Sequence, residues 1–308
     1  QIDVNTALKP LFRMADRGSN PELLNALSSI ERDPAMPGPE KDYLVFSFAI
    51  GLGDLDSNAV SPAVLDFLAA YESRTWVRHV DHPRMTVPLF NVRAAAAGVR
   101  NQWDRQQASV RAEDLLRGQP DQWISGFLEA GPAERRGFLD ALDFASIEQL
   151  GRFGWSAMAR LDEKPELTLA IAKAGMVSGD FELLQHAIAR GGGPGLSKAL
   201  AAFSSELNDD EAAALLERTL HSGSETRAAL AIAQLAPGRL DDPAIVEMLF
   251  GILADRNLGA AAALVLAASQ DLKIRARLNA IAAGKEGLAQ QRAELATGTL
   301  HGNQGAGQ

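Results

Sequence analysis

The chain has 308 residues, 46% of them apolar, no cysteine and a formal net charge of −9. That apolar share can bury a core, which excludes a disordered chain. Without cysteine there is no disulfide, thiolate nucleophile or Cys-ligated metal site, and the acidic balance disfavours nucleic acid or anionic lipid across the whole surface.

Only 2 Tyr, 4 Trp and 12 Phe occur, and the prevalence of Ala, Leu, Glu, Gln and Arg predicts helix almost throughout. Residues 3–17 carry Val4, Ala7, Leu8, Leu11, Phe12 and Ala15 at helical spacing, with Gly18 as a stop. Asn20-Pro21 restarts a helix, Asn20 as its N-cap and Leu23, Leu24, Leu27 and Ile30 on its apolar side. After a proline-rich loop, residues 43–52 read as a buried helix, although their Val, Phe and Ile content also suits a strand. Ser61-Pro62 opens the next helix, with Val64, Leu65, Leu68 and Ala69 inward.

Residues 73–92 break the pattern. Trp76, His79, His82, Pro83 and Pro88 are interleaved with Val77, Val80, Met85, Val87 and Leu89, no 3.6-residue face fits, and two prolines oppose a continuous helix. The expectation is an ordered, extended crossover pinned to the core by Trp76 and Leu89, of a kind that often carries function. Residues 93–118 form the longest helix candidate, with Ala96, Val99, Trp103 and Val110 as its stripe. Short hairpins follow through 123–130, 132–142, 146–161, 165–174 and 180–190.

Two further hairpins, in 208–270, repeat one another. The first opens at Asp209-Asp210 and carries Ala212, Leu215, Leu216 and Leu220; the second opens at Asp241-Asp242 and carries Ile245, Met248, Leu249, Ile252 and Leu253. Their partner helices match Ala228, Ala229, Leu230, Ile232 and Ala233 to Ala262, Ala263, Leu264, Leu266 and Ala267. Leu183, Leu184 and Ile188 align with the first set, so the repeat reaches back to Asp180, and forward to 272–283.

Paired Asp openings, Ala-rich second helices and short turns at Gly223 and Pro237-Gly238 make the chain resemble the HEAT-like or armadillo-like α-solenoids. A unit near 33 residues also approaches the tetratricopeptide length, but that family's Trp, Gly and Tyr pattern is absent. The resemblance implies a curved stack of antiparallel helical hairpins that holds a partner, and it implies no reaction. The expected organisation is all-α: N-terminal hairpins plus crossover over 1–92, a repeat stack over 93–300 and a flexible tail over 301–308, forming one continuous structural unit. The longest uncharged run, 257–270, is too short to span a bilayer. The first residue is Gln1, which favours a trimmed product; a cleaved signal peptide would place it in the periplasm or outside the cell, with the cytoplasm as the alternative.

Residues 74–117 hold eight arginines against four acids. On one helix Arg93, Arg100 and Arg111 lie within about 20° of a line. With Arg74, Trp76, Arg78 and Arg84 they form the candidate binding set, suited to carboxylates of an acidic protein or peptide. The plainer reading is a solvated face whose arginines pair with neighbouring acids. His79, Asp81 and His82 offer metal-ligand chemistry, but an extended chain separates His82 from the other two unless it turns at Asp81.

Gly191-Gly192-Gly193-Pro194-Gly195 before Lys198 lacks the strand and the Gly-Lys-Ser/Thr order of a nucleotide-binding loop. Asp140 and Asp143, like the repeat-opening Asp pairs, offer paired carboxylates for acid–base work, but Asp at a helix start is the expected cap, so the repeat-opening pairs need no catalysis. Six Trp plus Tyr are too few for the sugar platforms of an α/α-toroid polysaccharide enzyme. Two functions follow: a non-enzymatic repeat scaffold that binds an acidic protein or peptide without a cofactor, or an all-α enzyme or metal-binding protein using His79, Asp81 and His82.

Overall fold

The computed structural model describes residues 4–284 and 287–304. Regular structure there comprises seventeen α-helices, three short 3-10 turns and one two-stranded sheet, so the protein is all-α. Among the described residues no helix is long and apolar enough to cross a membrane. Two compact units divide the chain: Gln1–Ala112 with Ala130–Asp140, and Glu113–Glu129 with Ala141–Gln308.

The chain opens with α1 (Val4–Asp16), α2 (Asn20–Arg32), α3 (Gly38–Gly51) and α4 (Pro62–Ala70), then β1 (Trp76–Arg78), β2 (Thr86–Pro88) and α5 (Val92–Gly118). Next come α6 (Pro120–Glu129) and α7 (Pro132–Ala141). The boundary expected at 92/93 falls inside the first unit, because Val92, Ala96, Val99 and Trp103 complete the core built by α1 to α4. Gly18 ends α1 in the left-handed region, φ 69°. Asn20 does not cap α2; its amide nitrogen donates to the Ala59 carbonyl and its oxygen accepts the Ser61 N–H at 2.8 Å, tying the start of α2 to the entry of α4.

The stripe expected on α5 holds at Ala96, Val99 and Trp103 but not at Val110, which is exposed. Ala108 and Ala112 are buried instead. The cause is α7, whose Gly137 lies so close to the Arg105 carbonyl and the Ala108 methyl that a β-carbon would not fit.

The second unit contains α6 and then α8 (Ile147–Met158), α9 (Thr168–Ser178), α10 (Phe181–Arg190), α11 (Gly193–Phe203) and α12 (Asp209–Leu220). It continues with α13 (Glu225–Leu235), α14 (Pro243–Gly251), α15 (Gly259–Ala268), α16 (Leu272–Ala282) and α17 (Leu288–Gln304). Of the tail expected over 301–308, the first four residues continue α17 and 305–308 lie outside the described residues. Ser146 with Gln149 and Asn208 with Glu211 form capping boxes, which makes Asn208 the cap that Asp209 and Asp210 follow in the first turn.

Two series of contacts run through this unit: α8, α10, α12 and α14 touch in succession, as do α9, α11, α13, α15 and α17, while most helices also touch their neighbour in sequence. Leu183, Leu184 and Ile188 of α10, Leu215 and Leu216 of α12, and Ile245 and Leu249 of α14 are all buried, as their common spacing requires. The buried residues of α13 are Ala228, Ala231, Ile232 and Leu235, and those of α15 include Ala262, Ala263, Val265, Leu266 and Ala267. Leu264, matched to Leu230 by sequence, is 64% exposed. Guanidinium groups join successive hairpins. Arg227 donates to the Ala189 carbonyl in the last turn of α10, Arg239 to those of Ser204 and Leu207, and Arg292 to those of Leu253, Asp255 and Arg256. These carbonyls end helices or begin turns, where backbone acceptors lack a helical partner.

Packing at α9 and α10 is tight enough to fix a residue type. A β-carbon on Gly175 would lie 2.8 Å from the Leu184 backbone nitrogen, whereas one on Gly151 of α8 would meet nothing within 4 Å. Gly175→Ala should therefore lower stability by about 1–3 kcal/mol, and Gly151→Ala should raise it by about 0.5–1 kcal/mol by removing helix-interior glycine. Opposite shifts of the denaturant midpoint test the pair.

Candidate functional site

Asp42 heads the apolar run of α3 and is fully buried. Its Oδ1 accepts the Tyr71 hydroxyl at 3.0 Å, and its Oδ2 accepts the backbone N–H groups of Arg74 and Thr75 at 2.8 Å each. Three donors satisfy a carboxylate that burial would otherwise penalise heavily. The Arg74 guanidinium donates to the Tyr71 hydroxyl and to the Glu31 carbonyl, both at 3.1 Å, and Lys41 Nζ donates to the same carbonyl. The chain leaving α4 is thus clamped to α3.

What it clamps is a β-hairpin. Trp76, Val77 and Arg78 pair with Pro88, Val87 and Thr86, and the turn is closed by the Met85 N–H donating to the His82 carbonyl, with Pro83 second in that turn. The returning strand is secured at Phe90, whose carbonyl accepts the Ser73 hydroxyl and whose ring lies 5.1 Å from Tyr43 and 5.8 Å from Phe46. Trp76 and Leu89, expected to pin this segment, are instead exposed, and Ser73 and Phe90 do the pinning.

The hairpin carries large apolar side chains into solvent: Val80 is 92% exposed, Trp76 56% and Met85 55%. Arg78, Arg84 and Arg93 lie on it or just after it, and no hydrogen-bond or ion-pair partner occurs for their side chains among the described residues. Asp81 is the only acid between Arg74 and Arg93. Aromatic and Met surface beside arginine is the composition enriched at protein interfaces.

The remaining sequence candidates have structural roles. Arg100 pairs with Asp66 of α4 at 2.6 Å, and Arg111 pairs with Glu134 of α7 at 3.5 Å and covers the Phe138 ring at 5.3 Å. Of the three arginines on the α5 line, Arg100 and Arg111 thus pair with neighbouring acids, as the plainer reading has it, and Arg93 alone has no side-chain partner among the described residues. Arg74 belongs to the clamp, its exposed guanidinium holding the buried Tyr71 hydroxyl. His79 and His82 bring their rings to 5.2 Å and the Asp81 N–H donates to His79 Nδ1, yet among the described residues no group of three or more His, Cys, Asp or Glu could hold a metal ion. Asp140 is gripped by Arg105 through two hydrogen bonds, and Asp143 by Lys173 at 2.7 Å. The glycine run enters α11 against Thr168, whose hydroxyl accepts the Gly192 N–H. A groove of about 630 Å³ beside α10, α12 and α13 is lined by Arg190, Arg218 and Arg227, each already bonded, to Asp162, Gln185 and the Ala189 carbonyl.

Sequence reasoning missed the clamp, although Lys41-Asp42 at the mouth of an apolar helix signals a buried charge. Comparisons with protein-family models, with curated proteins and with solved structures find no match.

Burial, reinforced by the Asp42 carboxylate, pushes the Tyr71 phenol above its ordinary value. The folded state thus holds this proton more tightly than the unfolded chain does. The stabilisation is complete below about pH 10 and declines as pH rises beyond it. Alkaline titration by phenolate absorbance should show one tyrosine resisting ionisation, and Tyr71→Phe should remove that fraction. Asp42→Ala should cost about 3 kcal/mol by orphaning three buried donors, read as a lower unfolding midpoint.

Proposed function

We propose that this protein is a non-enzymatic scaffold of the HEAT-like α-solenoid type that captures an acidic protein or peptide on its 73–92 hairpin. The observation that carries the reading is one segment on which exposed Trp76, Val80 and Met85 sit with the unpaired Arg78, Arg84 and Arg93. Arginine and tryptophan are the residues that most often dominate binding energy at an interface, and unpaired cations lose no existing partner when a carboxylate arrives. Net charge supports the choice: the segment from Arg74 to Arg93 has four arginines and one acid in a chain of −9. The solenoid reading draws on the second unit, where helices touch both their neighbour and the helix two places on. A chain without cysteine also suits export to an oxidising compartment. Catalysis or metal binding through His79, Asp81 and His82 has less support, since the three do not form a ligand cluster.

A photo-crosslinking residue at position 80 tests this. It should give an adduct with an acidic protein from the native source, and the yield should fall about tenfold or more when Arg78, Arg84 and Arg93 are all changed to Glu. Arg100→Glu with Arg111→Glu should leave the yield within about twofold, because exposed structural pairs contribute little. The reverse ranking would reject the hairpin as the docking element.

A further inference from the structure

The two edges of the hairpin differ. The Leu89 N–H donates to the Thr75 carbonyl and the His79 N–H to the Met85 carbonyl, both at 2.9 Å. In an antiparallel pair these alternate with positions whose backbone groups point away from the partner strand. Trp76 and Arg78 on β1, and Thr86 and Pro88 on β2, therefore aim their backbones outward. On β2 one of the two outward positions, Pro88, has no N–H, which blunts that edge against another strand and leaves Thr86 as its single outward donor. On β1 the N–H and C=O of Trp76 and Arg78 are intact, and no partner for these N–H groups occurs among the described residues. Asp42 already takes the Arg74 N–H, so the open edge starts at Trp76.

Resting on the docking role argued above, we propose that the partner binds as an extended acidic segment adding a third strand along the outer edge of β1. Backbone bonds to Trp76 and Arg78 supply the pairing. Side-chain alternation puts Trp76 and Arg78 on one face of the enlarged sheet and Val77 on the other, so an incoming strand alternating acid and apolar residues meets the arginine with its acids and Val77 with its apolar positions. A second copy of this chain is the wrong occupant, since pairing β1 with β1 would bring two copies of Arg78, and the nearby Arg84 and Arg93, together without counter-charge.

The test uses the full chain and a short synthetic peptide alternating Glu and Val, with the Lys and Val version as control. The Glu peptide should bind, the Lys peptide should not, and amide hydrogen exchange at Trp76 and Arg78 should slow on binding. Arg78→Pro removes one outward N–H without touching a bond between β1 and β2, and should weaken binding about tenfold beyond Arg78→Ala. Thr86→Pro, the same change on the other edge, should leave affinity within about twofold. Protection of the Leu89 and His79 amides reports that each variant keeps its hairpin, and the exchange result on the unaltered protein needs no variant. Binding that leaves the Trp76 and Arg78 amides unprotected and treats Arg78→Pro like Arg78→Ala overturns strand addition while leaving the docking role intact. Failure of the Glu peptide to bind overturns it as well, as does protection of these amides by self-association without peptide; the crosslink at position 80 judges the docking role separately.

Discussion

A buried carboxylate fastens the hairpin on which the proposed docking rests. Asp42 sits at zero exposure in α3 and draws in the Tyr71 hydroxyl and the Arg74 and Thr75 backbone N–H groups of the departing chain. A lone hairpin is marginal in water, and this one has exposed residues on both faces. It persists because its base is fastened twice to one helix, through Asp42 on the outgoing strand and through the Phe90 ring against Tyr43 and Phe46 on the return. The tip can then be shaped for contact, since it contributes little to holding itself up. Tyr71 links the clamp to Arg74, and Arg74 to Glu31 on α2, so the base of the hairpin answers to two helices.

The second unit solves a different problem with the same chemistry. Short helices of about three turns cannot hide an apolar face alone, so most lie against both a sequence neighbour and the helix two places on. Guanidinium groups reach from one hairpin to carbonyls at the helix ends and turns of the one before, as Arg227 does at Ala189 and Arg292 at Leu253. Ion pairs reinforce these joins on exposed surface, among them Arg190 with Asp162 and Arg277 with Glu247, the latter covering Phe250 at 4.0 Å. Arginine in this unit therefore often joins helices.

Helix positions were readable from spacing because burial imposes the 3.6-residue period: Leu183, Leu184, Leu215 and Leu216 all lie where their periodicity places them. Errors arose where two apolar faces competed. Val110 and Leu264 continue plausible stripes but point to solvent; at Val110 the reason is the approach of α7 at Gly137, which decides which side of α5 is covered. The extended character of 73–92 was legible from its prolines; its fold-back into a hairpin and the exposure of Trp76 were not, because pairing depends on contacts made by Ser73 and Phe90. Which acids meet the arginine line was hidden for a similar reason: Asp66 and Glu134, which pair with Arg100 and Arg111, lie 34 and 23 residues away. The Asp42 clamp was hidden likewise, its donors being 29 to 33 residues distant.

The central claim is that contact with a partner falls on the clamped hairpin and not on the helical surface. Exchange mapping of the full chain with and without the protein captured by the position-80 crosslink addresses it most directly. The account predicts slowed exchange concentrated in residues 73–93, with the helices of the second unit unchanged. Slowing concentrated on α10 to α15 with an unaltered hairpin would contradict it.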